Sequence, residues 1–254
     1  SVSVTNVMSS YLKEMITLLG EEPPPTVTLI MPSSIPSSTF EAVHEQLKAL
    51  GLSNVRVIPD ALAVLCATGA SLTSEEWALT LDVCLTETRA ALIQGPNRVV
   101  STRSAVELGL WEADRYLAER TTTVFLREHE LDVEDDPSLK RHLVDQISDM
   151  RRNTPAGLPW EVTVAGAPVS LDPGLLTDWL APLSERAAMM CEELLLGCEV
   201  SPKALKTVIL CSEEQPWPAL AESIEAMLGI RPIIPEAGPA MRVRGAFTPA
   251  GNTQ

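Results

Sequence analysis

Apolar residues alternate with other residues along the middle of the chain. Leu79, Leu81 and Val83 lie at every second position, and a second apolar run follows over residues 90–93. A period of two is typical of β-strands, and the interval around residues 84–86 suits a tight turn. With a further turn at Gly-Pro-Asn, residues 95–97, the pattern predicts three antiparallel strands. Asp82 lies where the first strand ends.

The preceding segment predicts a strand–helix–strand unit. Residues 26–31 (TVTLIM) are apolar on both faces, which is typical of a strand covered on both sides. Ser38, with Glu41 three residues later, has the spacing of a capping box, so we expect a helix to begin there. A second strand is predicted at residues 54–58. Strand, helix and strand at this length favour a parallel pair with a right-handed crossover.

The rest of the chain alternates between helical and extended patterns. Apolar residues at spacings of three and four predict helices over residues 7–19, 61–70, 108–127, 137–152, 174–196 and 217–228. Short strands are predicted at residues 160–165, 168–171 and 207–211. We expect residues 248–254 to be a disordered tail. Strands that alternate with helices in this way predict an α/β protein.

Composition narrows the classes of function. The chain has 254 residues and a formal net charge of −15, from 34 acidic and 19 basic residues. Because this charge repels phosphate backbones and anionic lipids, neither nucleic acid nor a membrane is an expected partner. The 5 cysteines form no C-x-x-C pair, and the 3 histidines lack metal-ligand spacing. We therefore expect reduced thiols, a cytoplasmic location and no metal site.

Five stretches carry a resemblance to a known family. They are residues 26–70, 82–89, 108–114, 208–220 (VILCSEEQPWPAL) and 235–245. Residues 26–70 resemble V-I-T-V-P followed by G-L-N-V-x-R-I-I-N-E-P, and residues 82–89 resemble D-L-G-G-G-T-x-D. Residues 108–114 resemble L-G-G-x-x-x-D. Residues 208–220 resemble V-V-L-V-G-G-S-T-R-I-P, and residues 235–245 resemble P-D-E-A-V-A-Y-G. This is the order of motifs in the nucleotide-binding domain of the heat-shock-70 (DnaK-type) chaperones, within the actin-like ATPase superfamily.

The resemblance implies an actin-like ATPase (ribonuclease H-like) fold, with mixed sheets and flanking helices. It covers the later two-thirds of the family's domain, so the first lobe is expected to be partial and the second complete. Residues 1–73 would then be the remainder of lobe I, and residues 74–247 would be lobe II. A helical and β insertion is expected at about residues 106–172.

The resemblance also assigns residues to the family's nucleotide site. Asp82 falls on the acid of the second phosphate loop, and Asp60 falls on the acid of N-E-P. Arg151 and Arg152 fall where the family has a Lys-Arg pair against the adenosine. We expect these four as vestigial cofactor-binding positions, with no catalytic residue. Each also has a structural alternative: a turn cap for Asp82, a helix N-cap for Asp60, and compensation of a helix dipole for the arginines.

The positions that would approach the nucleotide depart from the family's pattern. The three glycines of the phosphate loop fall on Cys84, Leu85 and Thr86, and its second acid falls on Arg89. Side chains at these positions take the space that a phosphate needs. Glu213 replaces another glycine and would bring a negative charge towards the nucleotide. With no basic neighbour expected, Cys84 is interpreted as a small hydrophobic residue.

Three hypotheses about function follow. The first is a catalytically inactive pseudo-ATPase that acts as a protein-interaction scaffold or chaperone-associated regulatory subunit, with chaperone or co-chaperone partners and no cofactor. The second is a fragment of an active ATP-hydrolysing chaperone, which would use ATP and Mg²⁺. The third is an actin-like assembly-platform protein of a secretion system. The missing glycines and the arginine at position 89 favour the first.

Overall fold

The computed structural model describes residues 10–11, 13–15, 17–18, 26–52, 54–155, 157–212, 214, 216–217, 219–235 and 239–247. The strands in this part of the chain are β1 (Val27–Met31), β2 (Val55–Pro59), β3 (Trp77–Val83), β4 (Thr88–Gln94), β5 (Arg98–Ala105), β6 (Trp160–Val164), β7 (Ala167–Leu171) and β8 (Leu205–Ser212). The helices are α1 (Ser37–Ala49), α2 (Asp60–Ala67), α3 (Leu110–His129), α4 (Pro137–Asn153), α5 (Pro173–Gly197), α6 (Leu220–Leu228) and α7 (Pro239–Phe247).

The chain is a mixed α/β protein, as its sequence pattern predicts. Strands β1 and β2 pair in parallel, with Val27 opposite Val55, and α1 connects them. The predicted capping box at Ser38 is wrong, because α1 begins at Ser37 after Pro36 and no side chain caps it. The predicted helix over residues 7–19 lies partly outside the described residues, and the predicted tail at 248–254 lies wholly outside them.

The central sheet has the strand order β5-β4-β3-β8. Strands β3, β4 and β5 are antiparallel neighbours, which confirms the three-stranded prediction, and β8 runs parallel to β3 on its other side. Ile233 extends this edge through an isolated parallel bridge to Ile209. The sheet is therefore mixed, with β3 at its centre.

The two faces of β3 contact different parts of the molecule. Leu79, Leu81 and Val83 point into the larger core, which includes side chains of α3, α4, α5 and α6 and of the β6–β7 hairpin. Ala78 points to the other face, where a smaller core contains residues of α2 and Ala246 of α7. Because side chains alternate along a strand, Asp82 shares the face of Ala78 and lies on the α2 side.

The turn between β3 and β4 packs against the start of α3. The Cys84 and Leu85 carbonyls accept hydrogen bonds from the first-turn amides of α3, Leu110 N at 2.9 Å and Trp111 N at 3.0 Å. Gly109 permits this approach, because a Cβ there would lie 2.6 Å from the Thr86 carbonyl carbon. The turn and the helix are thus joined backbone to backbone.

The close approach at Gly109 predicts that a larger residue there lowers the stability of the fold. In Gly109→Ala the added methyl group meets backbone, which cannot rotate away as a side chain can. We expect the free energy of unfolding to fall by about 1–3 kcal/mol, the usual cost of overpacking, when it is measured by urea denaturation.

Gly197→Ala is the matched control. Gly197 lies near the end of α5, and a Cβ there has no heavy atom within 4 Å. Because alanine favours helix over glycine, this variant should be unchanged or more stable by up to about 1 kcal/mol. Equal destabilisation of the two variants would contradict the close approach.

Candidate functional site

Asp82 lies near the carboxyl end of β3, between its two neighbouring strands. The strand register places it opposite Arg89 of β4 on one side and Cys211 of β8 on the other. Its side chain is only 9% exposed, and Arg89 Nη2 lies 2.9 Å from its Oδ2. A charge at this depth requires a partner, and the hairpin register supplies one.

Asp60 is the first residue of α2, directly after β2. Its Oδ1 accepts hydrogen bonds from Ser33 N at 2.7 Å, Ser33 Oγ at 2.6 Å and Ala61 N at 2.8 Å. The helix N-cap itself is Pro59, so the N-cap role suggested for Asp60 is wrong. The carboxylate instead fastens the loop after β1 to the start of α2.

Arg89 joins these two acids. Its Nη1 lies 3.1 Å from Asp60 Oδ2, while its Nη2 pairs with Asp82 and donates to Cys84 Sγ at 2.9 Å. Burial works to lower the pKa of Arg89, but the negative charge of Asp82, with Cys84 and Asp60, raises it above its ordinary value. The guanidinium is therefore a permanent cation between two carboxylates. The expectation that Cys84 has no basic neighbour is wrong.

Arg242 of α7 reaches the same carboxylate. Its Nη2 lies 2.5 Å from Asp82 Oδ1 and 2.6 Å from Asp82 Oδ2. Burial favours a lower pKa for Arg242, but Asp82 raises it. α7 can approach because residue 245 is glycine, and a Cβ there would overlap the carbonyl oxygen of Ala63 in α2.

Sequence reasoning missed both α7 and Arg242. The available signal was Gly245, which lies in the stretch that resembles the family's closing motif. A glycine inside a helix commonly marks a close contact. The ion pair itself joins residues 160 positions apart, and no local pattern encodes such a distance.

Arg151 and Arg152, adjacent near the end of α4, have different surroundings. The Arg151 side chain is 1% exposed, and its Nε and Nη2 bind the Asp114 carboxylate at 2.8 and 3.0 Å. Glu214 Oε2 lies 2.9 Å from Arg151 Nη2. Arg152 is exposed and pairs with Asp149 on its own helix at 3.0 Å. The structure thus joins Asp60 and Asp82 through Arg89, while Arg151 belongs to another buried cluster.

The space beside the two aspartates is small. The cavity lined by Ser33, Asp60, Asp82 and Arg89 measures about 10 Å³, enough for roughly one water molecule. Burial, reinforced by the negative charge of Asp82, raises the pKa of Cys211, so this neighbour is a neutral thiol. Among the described residues, no group of three or more His, Cys, Asp or Glu is placed to hold a metal ion.

No family model matches the chain. Within the described part of the chain, every helix is too short or too polar to cross a bilayer.

Arg89→Met tests the ion network formed by Arg89, Asp60, Asp82 and Arg242. The substitution keeps the aliphatic stem but removes the cation that pairs with Asp60, while Asp82 keeps Arg242. Because an uncompensated buried charge is costly, we expect unfolding to become easier by about 3–5 kcal/mol in urea at pH 7. Arg98→Met, at an exposed position of β5, should stay within about 0.5 kcal/mol of the parent. A small, equal change in both variants would mean that the network contributes nothing.

Gly245→Ala tests the docking of α7. Its methyl group should force α7 away from α2 and separate Arg242 from Asp82. We expect backbone amides of α7 to lose protection from hydrogen–deuterium exchange, as followed by mass spectrometry. Val243→Ala changes an exposed residue of the same helix and should leave protection intact. Unchanged protection in Gly245→Ala would show that α7 does not pack as described.

Proposed function

We propose that this chain is a catalytically inactive, heat-shock-70-like pseudo-ATPase of the actin-like ATPase superfamily. Its role would be that of a cytoplasmic protein-interaction scaffold or a chaperone-associated regulatory subunit. The observation that carries the proposal is the position of Arg89, whose guanidinium lies within 3.1 Å of both Asp60 and Asp82. These are the two acids that the resemblance assigns to the nucleotide site.

The fold supports this assignment in its strand order. Three antiparallel strands that are consecutive in sequence, followed through helices by a strand parallel to the first, give the order β5-β4-β3-β8. This is the arrangement expected of a ribonuclease H-like sheet. The resemblance puts the acid of a phosphate loop at the end of the first strand of such a sheet, and Asp82 lies near the end of β3.

The contacts of the two acids argue against nucleotide binding. Arg89 and Arg242 already balance the charges of Asp60 and Asp82, so an incoming Mg²⁺ would have to displace an arginine. The adjoining cavity of about 10 Å³ has no room for a phosphate chain. The Cys84 amide donates to the Glu87 carbonyl at 2.9 Å, so a donor that could face phosphate is used within the turn.

Calorimetry with Mg-ATP and Mg-ADP tests the proposal on the longest natural form of the chain. We expect no saturable heat and no shift in melting temperature at millimolar nucleotide. Had nucleotide bound at a hundred times its Kd, it would stabilise the fold by about 2.7 kcal/mol, which a thermal shift detects easily. An active chaperone ATPase domain, measured in parallel, is the positive control. Saturable binding to this chain would overturn the proposal.

The partner needs its own test. If the chain is a scaffold, a tagged form purified from lysate of its source should retain another protein in a stoichiometric ratio. A chaperone or co-chaperone is the class that the resemblance suggests. Recovery of the chain alone, at physiological salt and under mild washing, would count against a scaffold role.

A further inference from the structure

A pocket of about 300 Å³ opens at the carboxyl ends of β1 and β2, beside the beginning of α1. The strands contribute Met31, Val57 and Pro59 to its lining, and α1 contributes Phe40. The volume is at the lower limit of the range of about 300–1,000 Å³ that small-molecule sites occupy in proteins. The Phe40 ring and the Met31 thioether both favour contact with an aromatic ring. The pocket therefore suits a small molecule that contains a single ring.

The apolar lining follows from the alternation of side chains along the two strands. Met31 lies opposite Pro59 in the parallel register, and Val57 shares their face because it lies two residues before Pro59. On this face Met31 packs with Val43 and Leu47 of α1 in a small core. Since Val57 is only partly buried by that core, apolar surface remains open beside the helix.

The loop after β1 is ordered before any ligand enters. Ser33 donates hydrogen bonds to the Asp60 carboxylate, from its backbone nitrogen at 2.7 Å and from its Oγ at 2.6 Å. The Ile35 amide donates to the Pro32 carbonyl at 3.1 Å and closes a turn. Because these bonds and the fixed φ of proline already hold the loop, a ligand meets a preformed wall, which reduces the ordering cost of binding.

One acid gives the pocket a preference in charge. Glu41 is the one charged residue among the described residues that line the pocket, and it is exposed. Within the part of the chain that the structure describes, Glu41 forms no ion pair, whereas Glu45, one turn later, pairs with Lys48 at 3.4 Å. An unbalanced carboxylate attracts a cation and repels an anion. A ligand with a positive charge is therefore favoured over a neutral or an anionic one.

We propose that this pocket is a binding site for a small, mainly apolar, ring-containing amine that carries one positive charge. The inference goes beyond the proposed function and does not rest on it, because Asp60, Asp82 and Arg89 are not among the described residues that line the pocket. A failure to bind nucleotide leaves it standing, and a failure to bind the amine would leave the pseudo-ATPase proposal standing.

Three phenyl compounds of similar size and different charge test the site. At neutral pH phenethylamine is a cation, phenethyl alcohol is uncharged and phenylacetate is an anion. In titrations of the full chain followed by methyl NMR, we expect phenethylamine to shift the Met31 methyl signal saturably. We expect the alcohol to bind about fivefold more weakly, and the anion more weakly still. Shifts that do not saturate, or an amine affinity no greater than that of the alcohol, would overturn the proposal.

Two variants locate the binding. Phe40→Ala removes the ring from the wall of the pocket, and the fold should tolerate the change because Phe40 is exposed on a helix. We expect phenethylamine to bind at least about fivefold more weakly to this variant. Phe247→Ala removes the same ring from an exposed position of α7 and should leave the affinity unchanged. Equal affinities in these two variants would place the amine elsewhere and overturn the proposal.

Glu41→Gln tests the charge preference without changing the size of the pocket. Glutamine and glutamate have similar helix propensities, so the variant should fold normally. Without the charge, the amine and the alcohol should bind with equal affinity. Glu45→Gln is the matched control on the same helix, and there the amine should keep its preference of about fivefold. A preference that persists in Glu41→Gln would overturn the assignment of a cationic ligand.

Discussion

The packing of α2 on the central sheet depends on one buried cation. Arg89 extends from β4 and is shared between Asp60, at the start of α2, and Asp82, near the end of β3. The core around this contact combines alanines such as Ala61, Ala63 and Ala78 with larger aliphatic residues, and it has fewer members than the core on the other face of the sheet. Because it buries less apolar area, it contributes less to stability than that larger core. The ion pairs of Arg89 add a directional contact between α2 and the sheet.

Part of this network could be predicted from local sequence. Once the turn between β3 and β4 is limited to residues 84–87, antiparallel pairing places Val83 opposite Thr88, and Asp82 opposite Arg89. The same reasoning places Cys84 close to Arg89, five residues later, so the basic neighbour of Cys84 could also have been predicted. Arg242 could not be predicted, because its approach depends on the packing of α7 against α2. That packing is a tertiary contact that no periodicity reports.

Helix boundaries show where local rules are overridden. The predicted helix over residues 217–228 begins instead at Leu220, because Ala219 adopts a left-handed conformation with φ of 68°. Trp217 lies before the helix and donates its indole N–H to Ser184. A buried hydrogen bond and a fixed backbone turn together outweigh the helical spacing of the apolar residues. The spacing alone could not indicate this, since Ser184 lies in another helix, 33 residues earlier.

The contrast between Arg151 and Arg152 follows from helix geometry. Adjacent helical residues point about 100° apart, so a helix packed on one side buries one of the two and exposes the other. The resemblance treats them as a pair, but the fold gives Arg151 to Asp114, 37 residues earlier in α3. Helix geometry indicates that the two side chains diverge, whereas only the packing of α4 against α3 determines which of them is buried.

Two glycines, Gly109 and Gly245, lie where one backbone crosses another. Gly109 admits the turn after β3, and Gly245 admits α2. The turn at residues 84–87 contains no glycine; its Cys84 amide donates to the Glu87 carbonyl, and its Cys84 and Leu85 carbonyls accept from the start of α3. A turn that binds phosphate must leave its amides free for the ligand. In this chain the Cys84 amide bonds within the turn, and together with Arg89 between Asp60 and Asp82 this contact is the physical basis for proposing a scaffold in place of an ATPase.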